Sequence, residues 1–201
     1  MAKLRSSDEI AENVENKKNG AFSVVDIIDY LELFAIAICC VILLFSFVCR
    51  LCSVKGDSMN DTLTNQDSLL VSDLFYEPER GDIIVFHQTG TLNEPVVKRV
   101  IATAGETVHI RHYSHHMTVE VTDLQGNTTR LEESYVRYEG FPYYPNNYDV
   151  TVPEGMLFVL GDNRNNSKDS RHPEIGLVDE RRVLGKVIFR ISPLSKIGTV
   201  N

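Results

Sequence analysis

Two different hydrophobic patterns divide the chain. One continuous apolar run, LFAIAICCVILLFSFVC, occupies Leu33–Cys49, and Ser46 is its only clearly polar side chain. After this run, short stretches rich in β-branched residues recur between turn residues, and none has a long helical period. They are SLLVSDLF (68–75), DIIVFHQ (82–88), PVVKRVIAT (95–103), ETVHIRHY (106–113), MTVEVTD (117–123), MLFVLGD (156–162) and GKVIFRIS (185–192). This second pattern predicts a mainly β domain of antiparallel sheets.

The apolar run predicts a transmembrane anchor. As a helix it spans roughly 25 Å, at the short end of what crosses a bilayer, and Tyr30 and Arg50 can extend it by snorkelling. A buried core helix is the alternative, but a small soluble domain rarely hides a helix that is apolar on every face. A cleaved secretory signal is disfavoured because the run starts late and follows acidic residues. We therefore predict a flexible tail at 1–29, an uncleaved anchor at 30–50 and a β-rich domain at 51–201.

Composition excludes some classes of function. The chain has 201 residues, 43% of them hydrophobic, and a formal net charge of −8 without a basic tract. A nucleic-acid partner is therefore not expected. All four cysteines lie in or beside the predicted anchor, so the domain that follows can form no internal disulfide and depends on its core for stability. They are Cys39, Cys40, Cys49 and Cys52.

Two patterns resemble metal sites weakly. Cys49 and Cys52 have half of a zinc-site spacing, but the chain offers no second pair. Four histidines cluster in the stretch HIRHYSHH, without cysteine or acidic partners at ligand spacing; they are His109, His112, His115 and His116. An exposed hairpin is the favoured interpretation of that stretch, and neither a metal nor a cofactor is predicted.

The stretch GDNRNNSKDSR, Gly161–Arg171, contains no apolar side chain and follows the strand-like run MLFVL. A polar turn is one interpretation, because these residue types favour turns. A calcium loop is excluded, since Arg164 falls on the third ligand position and Ser167 on the glycine position. The mixture of acidic and basic residues favours paired contacts that hold a fixed geometry.

Two further residues are candidates for chemistry. Ser58 lies in VKGDSMNDTL, just after the apolar run, and Lys98 lies in VVKRVIATAGE with Val96 and Val100 on the same face of a strand. Each alone is more typical of a structural role. Burial would lower the pKa of Lys98, and a base near neutrality needs a pKa of about 7 to 8, which corresponds to about 4 kcal/mol of differential solvation.

Taken together, the blocks GDSM, KRV and GDNRNNSKDSR after one anchor resemble the bacterial type I signal peptidases, which are membrane proteases with a Ser-Lys dyad. The resemblance extends to YEPERGDIIVF (76–86) and PLSKIG (193–198), and the single anchor is similar to the Gram-positive branch. It implies a cytoplasmic N-terminus and an extracytoplasmic catalytic domain. The positive-inside count alone does not decide the orientation.

The resemblance implies a role for each matching residue. Ser58 matches the nucleophile, Lys98 the general base and Ser167 the hydroxyl that orients the lysine. The supporting ion pairs match Arg99 with Asp162 and Asp169 with Arg171. Met59 matches a residue that shapes the first substrate pocket.

Two positions depart from the family pattern. Asp61 stands where proline is usual, and it touches no reacting group. Gly56 stands where part of the family has a serine that donates to the oxyanion. The Ser58 N–H is expected to remain one donor, and the second donor is water or the Gly56 backbone.

The resemblance also implies the substrate. An extended segment of an exported preprotein is expected to lie between the chain leading to Ser58 and the chain leading to Lys98, with small residues before the cut. One alternative is a non-catalytic assembly factor for surface proteins, which is expected to lack the serine or the lysine. Another is a self-cleaving Ser-Lys repressor, against which the anchor argues. The sequence leaves open which preproteins are cut, whether the peptidase is the main one of its cell, and its oligomeric state.

Overall fold

The computed structural model describes residues 24–87, 95–113, 116–136 and 147–200. The tail before residue 24 and His115 lie outside the described residues. The chain divides into two compact units after Leu44.

Helix α1 spans Val24–Phe47, and its residues up to Leu44 belong to the first unit. The helix begins before the expected boundary at residue 30, and Asp26 in its first turn favours a start there because a negative charge complements the N-terminal dipole. Its apolar side chains are exposed, for example Leu33 and Phe34 at 63% each. Within the described part of the chain, no helix combines the length and the apolar character needed to cross a membrane, so the predicted span is not confirmed.

The second unit is built from two antiparallel sheets, which confirms the predicted fold class. The larger sheet has the order β1-β2-β11-β3-β4-β9-β10 and the smaller one β7-β6-β5-β8. The strands are β1 (Arg50–Ser53), β2 (Ser68–Ser72), β3 (Ile83–His87), β4 (Pro95–Ala102), β5 (Thr107–His112), β6 (Met117–Thr122), β7 (Thr128–Arg130), β8 (Tyr148–Thr151), β9 (Met156–Leu160), β10 (Val178–Asp179) and β11 (Val183–Ser192). Two short 3-10 helices, Glu180–Arg182 and Leu194–Lys196, flank β11.

Four strands were not expected from the sequence, namely β1, β7, β8 and β10. They are two to four residues long, and β1, β7 and β8 are mostly exposed, so they carry little of the hydrophobic alternation that predicts a strand. No strand-like run is predicted between 123 and 156, but the described parts of this stretch supply β7 and β8, the two edges of the smaller sheet.

At the centre of the larger sheet, strands β3 and β9 are buried on both faces. On β9, Phe158 and Leu160 pack against the smaller sheet, while Leu157 and Val159 pack with Ile84 in a second cluster. A third cluster joins Val85 of β3 to the segment that carries Ser58. Burial on both faces explains why MLFVL and IIVF are continuous apolar runs rather than alternating ones.

Strand β4 lies between β3 and β9, and its position determines where the polar stretch meets it. Lys98 is opposite Ile84 on β3, and Arg99 is opposite Leu160, the last residue of β9. The stretch that starts at Gly161 therefore begins beside two cations of β4.

Candidate active site

Lys98 and Ser58 meet directly, although 40 positions separate them in the sequence. The Nζ of Lys98 donates to Ser58 Oγ at 2.8 Å and to the carbonyl oxygen of Val97 at 2.8 Å. Lys98 is 3% exposed, and Ser58 is half-buried. An amine and a hydroxyl at this distance can exchange a proton without rearrangement.

Burial lowers the pKa of Lys98 to about 8, because desolvation disfavours the ammonium form. The carboxylates of Asp169 and Asp162 oppose this shift by stabilising the positive charge. At neutral pH roughly one lysine in ten is then uncharged, which is far more than an exposed lysine supplies. The uncharged amine is the form that can accept the hydroxyl proton of Ser58.

The residues that follow Ser58 pack in the hydrophobic core. Met59 and Leu63 are 1% and 0% exposed, and a backbone hydrogen bond from Leu63 N to Met59 O closes the turn between them at 2.8 Å. Met59 thus packs in the core, and its expected role in shaping a substrate pocket stays a prediction. Gly56 has φ +86, and its N–H donates to Asn65 Oδ1 at 3.1 Å. The Gly56 N–H would have to break its bond to Asn65 in order to donate to an oxyanion.

Arg99 and Asp162 form a buried, two-point ion pair. Arg99 Nε donates to Oδ1 at 2.9 Å and Nη2 to Oδ2 at 2.7 Å. Asp162 also accepts from Thr62 Oγ1 at 2.5 Å, which ties the pair to the segment after Ser58. The Arg99 guanidinium lies 3.9 Å from the centre of the Tyr135 ring and donates from Nη1 to Gly81 O at 2.8 Å.

Asp169 and Arg171 form the second pair. Arg171 Nε and Nη2 donate to the two carboxylate oxygens at 2.8 and 2.7 Å, and Nη2 also donates to Arg164 O at 3.0 Å. The carboxylate accepts from Gly161 N at 3.1 Å as well. Burial by itself would raise the pKa of Asp169, but the bonds from Arg171 and Gly161 outweigh it and hold that pKa below its ordinary value. Asp169 therefore connects the two ends of the stretch, Gly161 and Arg171.

Ser167 is 3% exposed and lies beside both Gly161 and Ser58. A Cβ on Gly161 would be 2.2 Å from Ser167 Oγ and 2.5 Å from the carbonyl oxygen of Ser58, so the two serines approach one point. Among the described residues, Ser167 Oγ makes no hydrogen bond of regular geometry, to Lys98 or to another group, although it lies near enough to the Asp169 carboxylate to help lower the pKa of that group. Its expected role in orienting the lysine stays a prediction.

Three residues of the site were not expected from the sequence. Asn163 donates from its backbone N to Ser58 O at 3.0 Å and from Nδ2 to Asp57 O at 3.0 Å. Arg164 is fully buried, donates from Nε to Gly161 O at 3.1 Å and forms a two-point pair with Glu133. The charge pattern of the polar stretch indicates paired contacts, but no sequence signal points to Glu133, 31 positions away.

A groove of about 300 Å³ runs between β1 and the start of β4. It is lined mainly by apolar atoms of Leu51, Cys52, Ser53, Lys55, Val85, Pro95 and Val97. β1 pairs with β2 on one side, and within the described residues no strand pairs with its other side. Val97, one of the lining residues, also accepts a hydrogen bond from Lys98 Nζ at its carbonyl oxygen. In the part of the chain that the structure describes, no group of three or more His, Cys, Asp or Glu residues could hold a metal ion.

Comparison with known families identifies the family of the chain. Residues 27–192 match the profile of the family described as signal peptidase, peptidase S26. The chain belongs to this family. The peptidase is a bacterial type I signal peptidase and a serine endopeptidase.

Individual relatives cover most of the peptidase. It is 35% identical to a probable signal peptidase I-1 of Synechocystis sp., over 84% of both chains. It is 30% identical to signal peptidase IB of Staphylococcus aureus, over 85% of the peptidase and 92% of that protein. A crystal structure of a signal peptidase I from Enterococcus faecalis aligns with a TM-score of 0.42 at 32% identity, and covers 56% of the peptidase and 97% of that chain.

Proposed function

We propose that the peptidase removes N-terminal signal peptides from exported preproteins, with Ser58 as nucleophile and Lys98 as general base. The observation that carries this proposal is the 2.8 Å contact between Ser58 Oγ and the buried Nζ of Lys98. A buried amine with a lowered pKa beside a hydroxyl is the arrangement that activates a serine without a histidine.

The reaction follows from that contact. The uncharged amine of Lys98 takes the Ser58 proton as Oγ attacks the scissile carbonyl carbon, and the carbonyl oxygen becomes an oxyanion that the Ser58 N–H stabilises. When the C–N bond breaks, the lysine ammonium returns its proton to the departing amine. Lys98 then deprotonates a water molecule, which attacks the acyl-enzyme ester, and the ammonium returns this proton to Ser58 Oγ as the ester C–O bond breaks. Each half-reaction leaves Lys98 uncharged again.

The two ion pairs are proposed to hold this geometry. The pair of Arg99 and Asp162 connects β4 to Thr62 and to the polar loop, Gly161–Arg171. The pair of Asp169 and Arg171 lies within this loop and holds its conformation. We propose that Ser167, which lies near the Ser58 backbone at Gly161, orients the amine during turnover. Side chains fixed by buried partners keep the reacting groups in one arrangement.

The groove favours an extended substrate with small side chains. A peptide strand can add to the outer side of β1, where backbone groups have no strand partner among the described residues, and run toward Ser58. The apolar lining of the groove favours apolar side chains. The resemblance to the signal peptidases is the basis for proposing cleavage after small residues.

We also propose that α1 anchors the peptidase in the cell membrane as a single span, with the N-terminus in the cytoplasm and the domain from residue 51 outside. The support is the uncharged run Leu33–Cys49 and the exposed apolar side chains of α1. An anchor would hold the active site in the same bilayer as the apolar segment of a preprotein, which replaces much of the diffusional search. Extraction of membranes at alkaline pH tests it, because an integral protein stays in the pellet and a peripheral one is released.

The catalytic proposal is tested with purified full-length protein in detergent and a signal-bearing preprotein. Ser58→Ala and Lys98→Met are expected to abolish cleavage while the unfolding transition is retained, and Ser167→Ala to lower kcat with KM largely kept. Lys168→Met is the matched control, since Lys168 is exposed and pairs with Glu174 at the surface. Cleavage by Ser58→Ala at the wild-type rate would refute the proposal.

A further inference from the structure

Asn163 contacts the chain on both sides of the Ser58 Cα atom. Its backbone N–H donates to Ser58 O, and its side-chain amide donates to Asp57 O, each at 3.0 Å. The orientation of the amide is determined by its partner, because a carbonyl oxygen can only accept and the Nδ2 group must therefore face it. The polar loop thus fixes the backbone of the serine as well as its surroundings.

The contact to Asp57 O acts on one particular peptide group. The carbonyl of Asp57 and the N–H of Ser58 belong to the same peptide bond, which is trans, so the two groups point to opposite sides. A donor on the carbonyl therefore directs the Ser58 N–H away from the loop. Hydrogen bonding to a carbonyl also polarises the amide and makes its N–H a stronger donor.

We infer that Asn163 is a positioning residue for the oxyanion donor, which aims and polarises the Ser58 N–H through the Asp57 carbonyl. This inference rests on the proposed function, since it assigns that N–H to the oxyanion. Asp57 O also accepts from Asn60 N at 3.1 Å, a bond that closes the local turn. Because the turn bond remains, loss of the Asn163 side chain should weaken the donor without collapsing the segment.

The expected effect is limited to the step in which charge develops on the oxygen. Asn163→Ala is expected to lower kcat about tenfold, as the loss of one hydrogen bond implies, with KM unchanged. Affinity for a peptide aldehyde should fall by the same factor, because Ser58 Oγ adds to its carbonyl carbon, which becomes tetrahedral, while the hydroxyl proton passes to Lys98 and the aldehyde oxygen becomes an oxyanion. Affinity of the uncleaved peptide for the Ser58→Ala enzyme should be the same with and without the Asn163 change.

The experiment uses the full-length enzyme in detergent and a fluorogenic peptide from a signal-peptide cleavage site. A purely structural role for Asn163 would raise KM or move the pH midpoint of the rate, and either result would overturn the inference, as would a wild-type kcat. Asn163→Asp is the second variant if Asn163→Ala does not fold, because a carboxylate keeps the shape of the side chain and cannot donate a hydrogen bond. A wild-type kcat for Asn163→Asp would also overturn the inference. Lys168→Ala, an exposed change in the same loop, should keep the wild-type kcat.

The two proposals fail separately. If Ser58→Ala cleaves at the wild-type rate, the proposed function is wrong. If Ser58→Ala is inactive and Asn163→Ala keeps the wild-type kcat, the proposed function stands and only the role of Asn163 is refuted.

Discussion

At the scale of single residues, the environment of Lys98 balances two opposing effects. Burial lowers its pKa to about 8, while the Asp169 and Asp162 carboxylates raise it. The arginine partners limit how far these carboxylates raise the pKa of Lys98, because each negative charge is shared with a guanidinium. An amine in this balance is uncharged often enough to act as a base and basic enough to take a proton.

The rate should therefore depend on the protonation of Lys98. Below pH about 8 the ammonium form predominates and cannot accept the Ser58 proton, so kcat/KM is expected to rise tenfold per pH unit up to that value and then level off. A pH–rate profile with a peptide substrate measures this. A midpoint near 10.4, the ordinary value for lysine, would contradict the effect of burial.

At the scale of elements, the end of β9 brings the loop against the dyad. Only glycine fits at position 161, because a Cβ there would be 2.2 Å from Ser167 Oγ, 2.5 Å from Ser167 Cβ and 2.5 Å from Ser58 O. All three atoms belong to residues of the proposed site, and Ser58 O is a backbone atom, which can move little. The close packing of the loop on the Ser58 segment is therefore part of the catalytic arrangement.

Gly161→Ala should separate this contact from general stability. We expect a loss of about 1–3 kcal/mol in the free energy of unfolding from overpacking, and a fall in kcat of about 100-fold from displacement of the serines. Gly126→Ala is the control: its Cβ meets no atom within 4 Å, but φ is +85, so stability should fall while kcat is kept. Urea unfolding and peptide cleavage give the two quantities; a wild-type kcat for Gly161→Ala would contradict this interpretation.

The loop is also fastened to the segment after β7 by Arg164 and Glu133. Arg164 is fully buried and the Glu133 side chain is 7% exposed. Glu133→Gln leaves a buried guanidinium without its counter-charge and is expected to cost about 3–5 kcal/mol of unfolding free energy, much of which Arg164→Met in the same chain should restore.

A double-mutant cycle by urea unfolding measures this coupling between Glu133 and Arg164. Glu174→Gln removes the partner of exposed Lys168 and should change stability by less than about 1 kcal/mol. Equal effects of Glu133→Gln and Glu174→Gln would show that burial of the pair does not matter.

At the scale of the whole molecule, the core belongs to the second unit. Within the described residues, the three hydrophobic clusters draw their members from the range 52–200. The β unit therefore contains the apolar contacts that its own folding requires.

A chain that begins at Phe45 should consequently fold by itself. We expect a cooperative thermal transition and cleavage of a short peptide close to that of the full chain, because the groove and the site lie in this unit. Cleavage of a preprotein in vesicles should fall much further, since the proposed anchor is lost. Loss of the cooperative transition would show that α1 is needed for the fold.

The sequence by itself determined the fold class and seven of the strands, because alternation, β-branched runs and turn residues are local signals. It also identified the family, since the blocks around Ser58, Lys98 and Gly161 keep their residue types and order. The short strands β1, β7, β8 and β10 were missed, because they carry little hydrophobic alternation.

Only the tertiary structure decided which groups meet. The contact of Ser58 with Lys98, the bonds of Asn163 to the serine backbone and the pairing of Arg164 with Glu133 join segments that are 31 to 106 positions apart. Such contacts depend on sheet order and register, which place β4 beside the end of β9. The burial of Lys98 also depends on the tertiary structure, because residues pack on both faces of the sheet around it.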